Sequence, residues 1–273
     1  MNLSVDEKCL VATPVWHLPK VKSFLLENDK YFYVNERCNE SELRHLLKSS
    51  KTIKYLFVNP NAQGYLLGPN VLHDSCVKGI NTCSTGKNHL DLKYCNDKSI
   101  QIYSLTNDYE LINNLPSTSE LAFVLMQGLF RNLSLCLSKV HAQGWDYTGV
   151  MGHQLAGSTV GILGYGRLGK IFADQLSGFN VKTLICESNS DVKVPAEYDQ
   201  VTIEELFSSS DAVAIHIHST EANKGLISSD LLAKAKRGIY IVNTSRGDIV
   251  DEEAISEKIV SGDIGGYATD VLE

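Results

Sequence analysis

A short apolar run followed by closely spaced glycines stands near the middle of the chain. Residues 159–163 are apolar or β-branched, which is typical of a buried parallel strand. Residues 164–169 then have the spacing G-x-G-x-x-G. Apolar side chains recur after the first glycines at helical intervals: Leu168, Ile171, Phe172 and Leu176. The pattern predicts a strand, a tight glycine turn and a helix, in that order.

The second half of the chain continues this alternation. Apolar, β-branched runs predict strands at residues 181–186, 211–218, 238–242 and 264–271. Helices are predicted between them at three places: from the capping box of Thr202 and Glu205, around Leu231 to Ala235, and from Asp251 to Gly262. Strands that alternate with helices predict a parallel sheet with helices on its faces.

The first half shows the same pattern in shorter pieces. Strands are predicted at residues 10–12, 31–34 and 53–58, and a helix at 41–47. A further strand leads into a polar, glycine-bearing turn within residues 79–90, and a helix follows from Asp91. Ser117 and Glu120 have capping-box spacing, which predicts one long helix that runs toward Val140. The whole chain is therefore predicted to be an α/β protein with two parallel sheets.

The glycine turn has the chemistry of a phosphate-binding loop. Gly164 permits the tight turn, Gly166 lets the backbone approach a pyrophosphate, and Gly169 permits close packing of the helix on the strand. The free N–H groups and the dipole of the helix face the phosphates. The next strand ends at Glu187, where an acid can hydrogen-bond a ribose diol. The two residues after it are neither Arg nor Lys, so the sequence favours NAD over NADP.

Three other polar segments at strand ends have more than one interpretation. The guanidinium of Arg246 can bind a carboxylate or can form a surface ion pair. The turn within residues 79–90 exposes backbone N–H groups to a ligand, or it is a plain β–α loop. His216 and His218 would point to the same face of a strand, but no third ligand is near them, so no metal site is predicted.

Composition excludes several classes of function. The 273-residue chain has a formal net charge of −7 and no basic run with interleaved aromatic residues, which argues against a nucleic-acid partner. Charged residues 6–8 come before any apolar run, so no signal peptide is predicted. The most apolar helix pattern, at residues 121–126, soon meets polar residues, so no membrane span is predicted. Seven cysteines without a C-x-x-C pair predict reduced thiols in a cytoplasmic protein.

Five ordered stretches of the chain resemble the NAD-dependent D-isomer-specific 2-hydroxyacid dehydrogenases. They lie at residues 83–92, 117–121, 157–169, 243–251 and 269–271. The resemblance implies two Rossmann/flavodoxin-like domains, each a parallel sheet flanked by helices, with the cofactor cleft between them. It places the substrate domain at residues 1–108 and the NAD-binding domain at residues 109–273.

The resemblance also implies roles for individual residues. The substrate-binding loop falls on Ser84, Thr85, Gly86 and Asn88. Arg246 matches the catalytic arginine that holds the substrate's carboxylate and carbonyl, and Asp270 matches the group that orients the nicotinamide carboxamide. Besides the three glycines and Glu187, the implied cofactor-binding residues are Thr118, Tyr165, Arg167, Leu168, His216 and Thr244.

The chain departs from the family pattern at several positions. Family members commonly have proline where His218 stands and threonine where Asn223 stands, which affects nearby cofactor contacts. Their catalytic histidine and glutamate follow the segment that matches residues 269–271, and no residue of this chain falls on either position. We therefore expect a fragment or a short natural form that binds the cofactor with little turnover.

These features together predict an oxidoreductase that transfers a hydride between NAD(H) and a small 2-hydroxy or 2-oxo acid. D-isomer specificity and a homodimer are implied by the resemblance only. Two alternatives stay open at this stage. One is a non-catalytic NAD(H)-binding regulator that lacks the acid–base pair, and the other is an S-adenosylmethionine-dependent methyltransferase with the same glycine loop.

Overall fold

A computed structural model describes residues 7–34, 38–59, 64–142, 144–145 and 147–272. It divides into two compact units, Met1–Asn114 and Leu115–Glu273. Each unit contains a parallel sheet with helices in its connections. The α/β class and the two helix-flanked parallel sheets predicted from the sequence are therefore confirmed.

The strands of the first unit are β1 Lys8–Val11, β2 Tyr31–Tyr33, β3 Ile53–Val58, β4 Gly79–Thr82 and β5 Gln101–Tyr103. Its helices within the described residues are α1 Pro19–Glu27, α2 Glu40–Ser49, α3 Pro69–Leu72, α4 Leu92–Asp97 and α5 Tyr109–Asn113. The strands pair in the order β2-β1-β3-β4-β5, and all pairs are parallel. This order is that of flavodoxin-like sheets.

Local sequence explains how α2 forms and packs. The Asn39 side chain accepts the N–H of Glu42 at 2.9 Å, and the Glu42 carboxylate accepts the N–H of Asn39 at 3.0 Å. This reciprocal capping box satisfies two N–H groups that the helix itself cannot pair. Leu43 and Leu47 lie one turn apart and are buried in the same core as Leu56 of β3. The apolar stripe of the helix therefore packs against the sheet.

The strands of the second unit are β6 Thr159–Leu163, β7 Lys182–Cys186, β8 Asp199–Gln200, β9 Ala212–Ile215, β10 Ile239–Asn243 and β11 Ile264–Thr269. Its helices within the described residues are α6 Ser117–Phe130, α7 Leu133–His141, α8 Arg167–Leu176, α9 Ile203–Ser209, α10 Ser229–Ala233 and α11 Glu252–Val260. The strand order is β8-β7-β6-β9-β10-β11. The chain runs outward from β6 to β8 and then returns to the other side of β6, which is the Rossmann order.

Alternation along the strands buries both faces of this sheet. In β9, Ala212 and Ala214 belong to the core that α6 and α8 cover. Val213 and Ile215 belong to the core that α9, α10 and α11 cover. Because successive side chains of a strand point to opposite faces, one apolar run serves two cores.

Three details of the sequence prediction are wrong. The first turn of α6 has no capping side chain, because Ser117 is already helical and follows Pro116. The helix also ends at Phe130 instead of running toward Val140, since Asn132 has a left-handed φ of 49° that a right-handed helix cannot contain. The strand predicted at residues 211–218 ends at Ile215. By contrast, the capping box of Thr202 and Glu205 is confirmed.

We compared the length and hydropathy of the helices with what is needed to cross a membrane. Among the described residues, no single helix is long and apolar enough to cross a membrane. The segments Tyr109–Phe130 and Leu133–His141 meet that condition only when taken together, across a bend of 70°.

Candidate functional site

The sheet of the second unit ends in a single row of residues at its carboxyl edge. Leu163 of β6 is in register with Cys186 of β7 and with Ile215 of β9. Ile215 is in register with Asn243 of β10, which is in register with Thr269 of β11. The residues that directly follow this row are Gly164, Glu187, His216, Thr244 and Asp270. All five were predicted from the sequence to bind the cofactor, and the row includes the point where the strand order reverses.

The three glycines of the turn differ in how closely they are packed. Gly164 and Gly169 have no room for a side chain, whereas Gly166 faces open space that a phosphate could occupy. Gly164 has a left-handed φ of 95°, and a Cβ on it would lie 2.8 Å from the main-chain oxygen of His216. A Cβ on Gly169 would overlap the carbonyl oxygen of Gly164. A Cβ on Gly166 would meet no atom within 4 Å. The turn therefore fits a pyrophosphate against the N-terminus of α8.

The carboxylate of Glu187 lies against the glycine turn. Its Oε2 accepts the N–H of Tyr165 at 2.7 Å, and its Oε1 accepts the N–H of Asn189 at 2.8 Å. These bonds fix the carboxylate at the end of β7, beside β6. A carboxylate offers about four lone-pair sites, so the two oxygens can also accept hydrogen bonds from a ribose diol. The structure thus brings together the acid and the glycines that the sequence predicted.

Tyr165 takes part in the site only through its main chain. Its side chain is 4% exposed and lies in the core, with its ring centroid 6.0 Å from that of Tyr198. Burial raises the pKa of the Tyr165 hydroxyl above its ordinary value. The cofactor contact that the sequence suggested for this residue can therefore come only from its backbone.

His216 and Thr244 carry buried polar atoms at the row. Phe172 packs on the imidazole of His216, with ring centroids 5.0 Å apart. Burial lowers the pKa of His216 to about 4, so the ring is neutral near neutral pH. Among the described residues, neither its ring nitrogens nor the Oγ1 of Thr244 has a hydrogen-bond partner. Buried polar atoms without partners are uncommon, so these atoms are suited to a bound ligand.

The histidine pair does not form a metal site with described neighbours. Because β9 ends at Ile215, His216 and His218 lie beyond the strand and the argument from a shared face does not apply. His218 is exposed, whereas the imidazole of His216 packs on Phe172. Within the described ranges, no group of three or more His, Cys, Asp or Glu side chains could hold a metal ion.

Arg246 lies on a turn that the side chain of Asn243 shapes. Asn243 is 0% exposed; its Nδ2 donates to the Arg246 carbonyl at 2.8 Å, and its Oδ1 accepts the N–H of Ser245 at 3.0 Å. The Ser245 hydroxyl donates to the Ile215 carbonyl at 2.8 Å, which ties the turn to the end of β9. The guanidinium of Arg246 donates to the Ser245 carbonyl at 2.6 Å, and it forms no ion pair with a carboxylate of a described residue.

Thr269 joins this turn to the next strand end. Its hydroxyl is 2.8 Å from the Asn243 carbonyl, and its Oγ1 accepts the N–H of Val271 at 3.0 Å. Asp270 lies between these two bonded positions and is exposed. The backbone on both sides of Asp270 is therefore held, while its carboxylate reaches solvent at the row.

The predicted substrate loop follows β4 in the first unit. Thr82, the last residue of β4, is in register with Val58 at the end of β3. The Ser84 hydroxyl donates to the Gly86 carbonyl at 2.7 Å, and the Thr106 hydroxyl donates to the Thr85 carbonyl at 3.2 Å. Asn88 is exposed. The loop is thus at the carboxyl end of its sheet, and side-chain bonds to the main chain hold its shape.

Two residues that shape the site were not assigned a role from the sequence. Asn243 belongs to the motif at residues 243–251, and its signal is that an Asn at a strand end commonly bonds the backbone two residues on. Ser119 is 0% exposed, and its hydroxyl donates to the Leu168 carbonyl at 2.8 Å. It shares a helical face with buried Ala122 and Met126, so a polar residue on an apolar stripe was the signal.

Comparisons with known proteins agree with this geometry. The sequence model of the family "D-isomer specific 2-hydroxyacid dehydrogenase, NAD binding domain" matches residues 123–273. A hydroxypyruvate reductase of Thermotoga maritima is 30% identical over 198 residues, which are 72% of this chain and 62% of that protein. A 2-hydroxyacid dehydrogenase homolog of Zymomonas mobilis is 28% identical over 256 residues, which are 90% of this chain and 74% of that protein. The chain thus spans less than two thirds of the Thermotoga protein.

A solved structure of a related enzyme has the same fold as this chain. The NAD-dependent formate dehydrogenase of Staphylococcus aureus, in complex with NAD, superimposes with a TM-score of 0.83 at 25% identity. The superposition covers 97% of this chain and 81% of that one.

Proposed function

Because the chain belongs to the D-isomer specific 2-hydroxyacid dehydrogenase family, we propose that it serves hydride transfer between NAD(H) and C2 of a small 2-hydroxy or 2-oxo acid, with D-isomer specificity. The observation that carries this proposal is the row of five predicted cofactor residues at one sheet edge, with Arg246 two residues beyond Thr244. NADH supplies the hydride when it is bound. The substrate class comes from the family, whose members share the motifs around these residues.

In this proposal the second unit binds the cofactor through named groups. Glu187 accepts hydrogen bonds from the adenine ribose diol, and the N–H groups of the first turn of α8 bind the pyrophosphate beside Gly166. Asp270 accepts a hydrogen bond from the nicotinamide carboxamide. Thr118, Arg167 and Thr244 add contacts near these groups. The residues present therefore fit NAD, and the carboxylate of Glu187 disfavours the 2′-phosphate of NADP.

Arg246 is the catalytic residue of the proposal. Its guanidinium binds the substrate's carboxylate and polarises the carbonyl that receives the hydride. In the first unit, the substrate-binding loop of the proposal consists of Ser84, Thr85, Gly86 and Asn88. No proton transfer is assigned to His216, whose pKa burial lowers to about 4.

Two measurements test the proposed function. Isothermal calorimetry with NADH tests cofactor binding, and NADH oxidation is then followed with glyoxylate, hydroxypyruvate and pyruvate as 2-oxo acids. Binding of NADH, followed by binding or reduction of at least one acid, is the expected result. A folded sample that binds no NADH contradicts the proposal, and so does an NADH complex that neither binds nor reduces any of the acids. The comparisons do not favour the alternative of a non-catalytic regulator.

Replacement of Glu187 by serine tests the choice between the two cofactors. We expect the dissociation constant of NADH to rise about 10- to 150-fold, because hydrogen bonds to a charged group are worth about 1.5–3 kcal/mol. The variant should also discriminate less between NADH and NADPH, since the carboxylate that repels the 2′-phosphate is gone. Calorimetric titration with both cofactors measures this. Glu257→Ser, on the exposed face of α11, is the control and should leave both affinities unchanged.

We also propose that the chain forms a homodimer through an apolar surface of the second unit. Exposed apolar side chains lie on α6, on α7 and on the segment after α7: Val124, Leu133, Leu137, Val140, Trp145 and Met151. Val140 is 61% exposed and Trp145 is 91% exposed. Leu133, Leu137 and Val140 recur at helical spacing on α7, and Val140 and Trp145 line the same pocket. Large apolar patches are uncommon on the surfaces of monomers, and the commonest oligomer is a symmetric dimer of identical chains. A second copy of the chain is therefore the proposed partner.

Val140→Glu is expected to separate the dimer into chains of 30.1 kDa, because the change places a charge in the apolar surface. Sedimentation velocity measures the mass. Val260 of α11 is 87% exposed and outside this surface, so Val260→Glu should leave the mass unchanged. A wild-type chain that sediments as a monomer would contradict the dimer proposal without affecting the proposed hydride transfer.

A further inference from the structure

Two hydrogen bonds join the N-terminal end of α6, and the residue Leu115 that precedes it, to the first turn of α8. The Ser119 hydroxyl donates to the Leu168 carbonyl at 2.8 Å. The Arg167 guanidinium donates to the Leu115 carbonyl at 2.9 Å. The first bond starts from α6 and the second ends on Leu115, two residues before α6, and both reach the two residues that follow Gly166. The N-terminal ends of these two helices therefore lie together beside the glycine turn.

The Ser119 side chain is buried, and its hydroxyl forms a hydrogen bond between two helices. Its side chain is 0% exposed and lies on the face of α6 that also carries the buried Ala122 and Met126. Alanine would suit this apolar face and has the higher helix propensity. The Leu168 carbonyl is in the first turn of α8, where it can also accept a bond within its own helix. The Ser119 bond is therefore not required to form either helix, and what it fixes is the position of one helix relative to the other.

This position matters at the turn where the phosphates are proposed to bind. Anion binding at a helix N-terminus depends on N–H groups that point at the ligand. Arg167 and Leu168 contribute those N–H groups, and Leu168 is the residue that Ser119 holds. Thr118 is next to Ser119 and half-buried, so the same bond sets its distance from the glycine turn.

We infer that Ser119 is a positioning residue for the cofactor's pyrophosphate. Its hydroxyl holds the first turn of α8 in the orientation that binds the phosphates and keeps Thr118 of α6 beside them. The inference rests on the proposed function, since it concerns the same cofactor site. It assigns no contact between Ser119 and the cofactor, because the serine side chain is fully buried.

The test compares three ligands in Ser119→Ala. Calorimetry of the full chain with NADH, ADP-ribose and adenosine separates phosphate binding from recognition of the nucleoside. Loss of a hydrogen bond that orients the turn should raise the dissociation constants of NADH and ADP-ribose about 5- to 10-fold. Adenosine has no phosphate and is held through Glu187, so its affinity should stay within about twofold of wild type. A merely structural role would weaken all three ligands alike.

Ser138→Ala is the matched control. The Ser138 hydroxyl donates to the Ser134 carbonyl at 2.9 Å within its own helix, α7, so this variant also removes one serine-to-carbonyl bond. It should bind all three ligands as wild type does. Unchanged NADH and ADP-ribose affinity in Ser119→Ala, or an equal loss for adenosine, would overturn the inference and leave the proposed function standing. Failure of the wild-type chain to bind NADH would overturn both.

Discussion

Replacement of Arg246 by alanine is expected to lower the rate constant kcat/KM for any reduced 2-oxo acid by about 10²- to 10³-fold. The guanidinium is the proposed partner of both the carboxylate and the developing charge on the carbonyl oxygen, and an alanine offers neither contact. Binding of the acid to the NADH complex should weaken in parallel. NADH affinity itself should stay unchanged, since the groups proposed for the adenosine and the pyrophosphate lie directly after β7 and in the first turn of α8. Calorimetry and initial rates of NADH oxidation measure the two effects separately.

Two further variants make this prediction specific. Arg246→Lys keeps the charge but loses the planar pair of N–H groups, so it should recover little of the lost binding. Arg237→Ala removes an exposed arginine that precedes β10, at the opposite end of that strand, and should bind the acid normally. Acid binding in Arg246→Ala equal to that of wild type would show that Arg246 does not hold the substrate.

Substitutions in the glycine turn are expected to separate folding from cofactor binding. Gly169→Ala places a methyl group on the carbonyl oxygen of Gly164, so the turn or α8 must shift. Overpacking of this kind lowers the free energy of unfolding by about 1–3 kcal/mol and should abolish tight NADH binding as well. Gly166→Ala adds its methyl group in open space, with no atom within 4 Å. It should therefore fold as stably as wild type and yet bind NADH at least about tenfold more weakly, since the methyl group meets the pyrophosphate.

Urea unfolding gives the stability of each variant, and calorimetry gives its NADH affinity. Gly178 follows α8, and a Cβ on it would likewise meet no atom within 4 Å. Gly178→Ala is therefore the control for both measurements and should change neither. Normal NADH affinity in Gly166→Ala would place the pyrophosphate elsewhere. Normal stability in Gly169→Ala would show that the contact with Gly164 can relax at no cost.

The sequence by itself determined the alternation of strands and helices around the glycine turn and the sheet edge at which the cofactor is proposed to bind. Residues 159–169 carry their own signals, since β-branched residues favour a strand and the spaced glycines require a tight turn. Glu187 follows from the length of one β–α–β unit. Carboxyl ends of parallel strands share one edge, so the sequence places Gly164 and Thr244 at the same edge. The strand predicted at residues 211–218 runs too far, and only the structure shows that His216 directly follows the strand end beside them.

Only the tertiary structure decided how these residues are held. The end of α6 at Phe130 depends on a distant segment: the N–H of His153 donates to the Phe130 carbonyl at 2.7 Å, and the Asn132 side chain donates to the Met151 carbonyl at 2.6 Å. The bond from Ser119 to Leu168 likewise joins residues far apart in sequence. Helix propensity and side-chain periodicity are local properties, whereas these bonds form only after the chain has brought distant segments together. The free energy of these bonds outweighs a local helix preference of roughly a few tenths of a kcal/mol per residue. The local pattern therefore predicts a helix that continues past Phe130, whereas the folded chain ends α6 there.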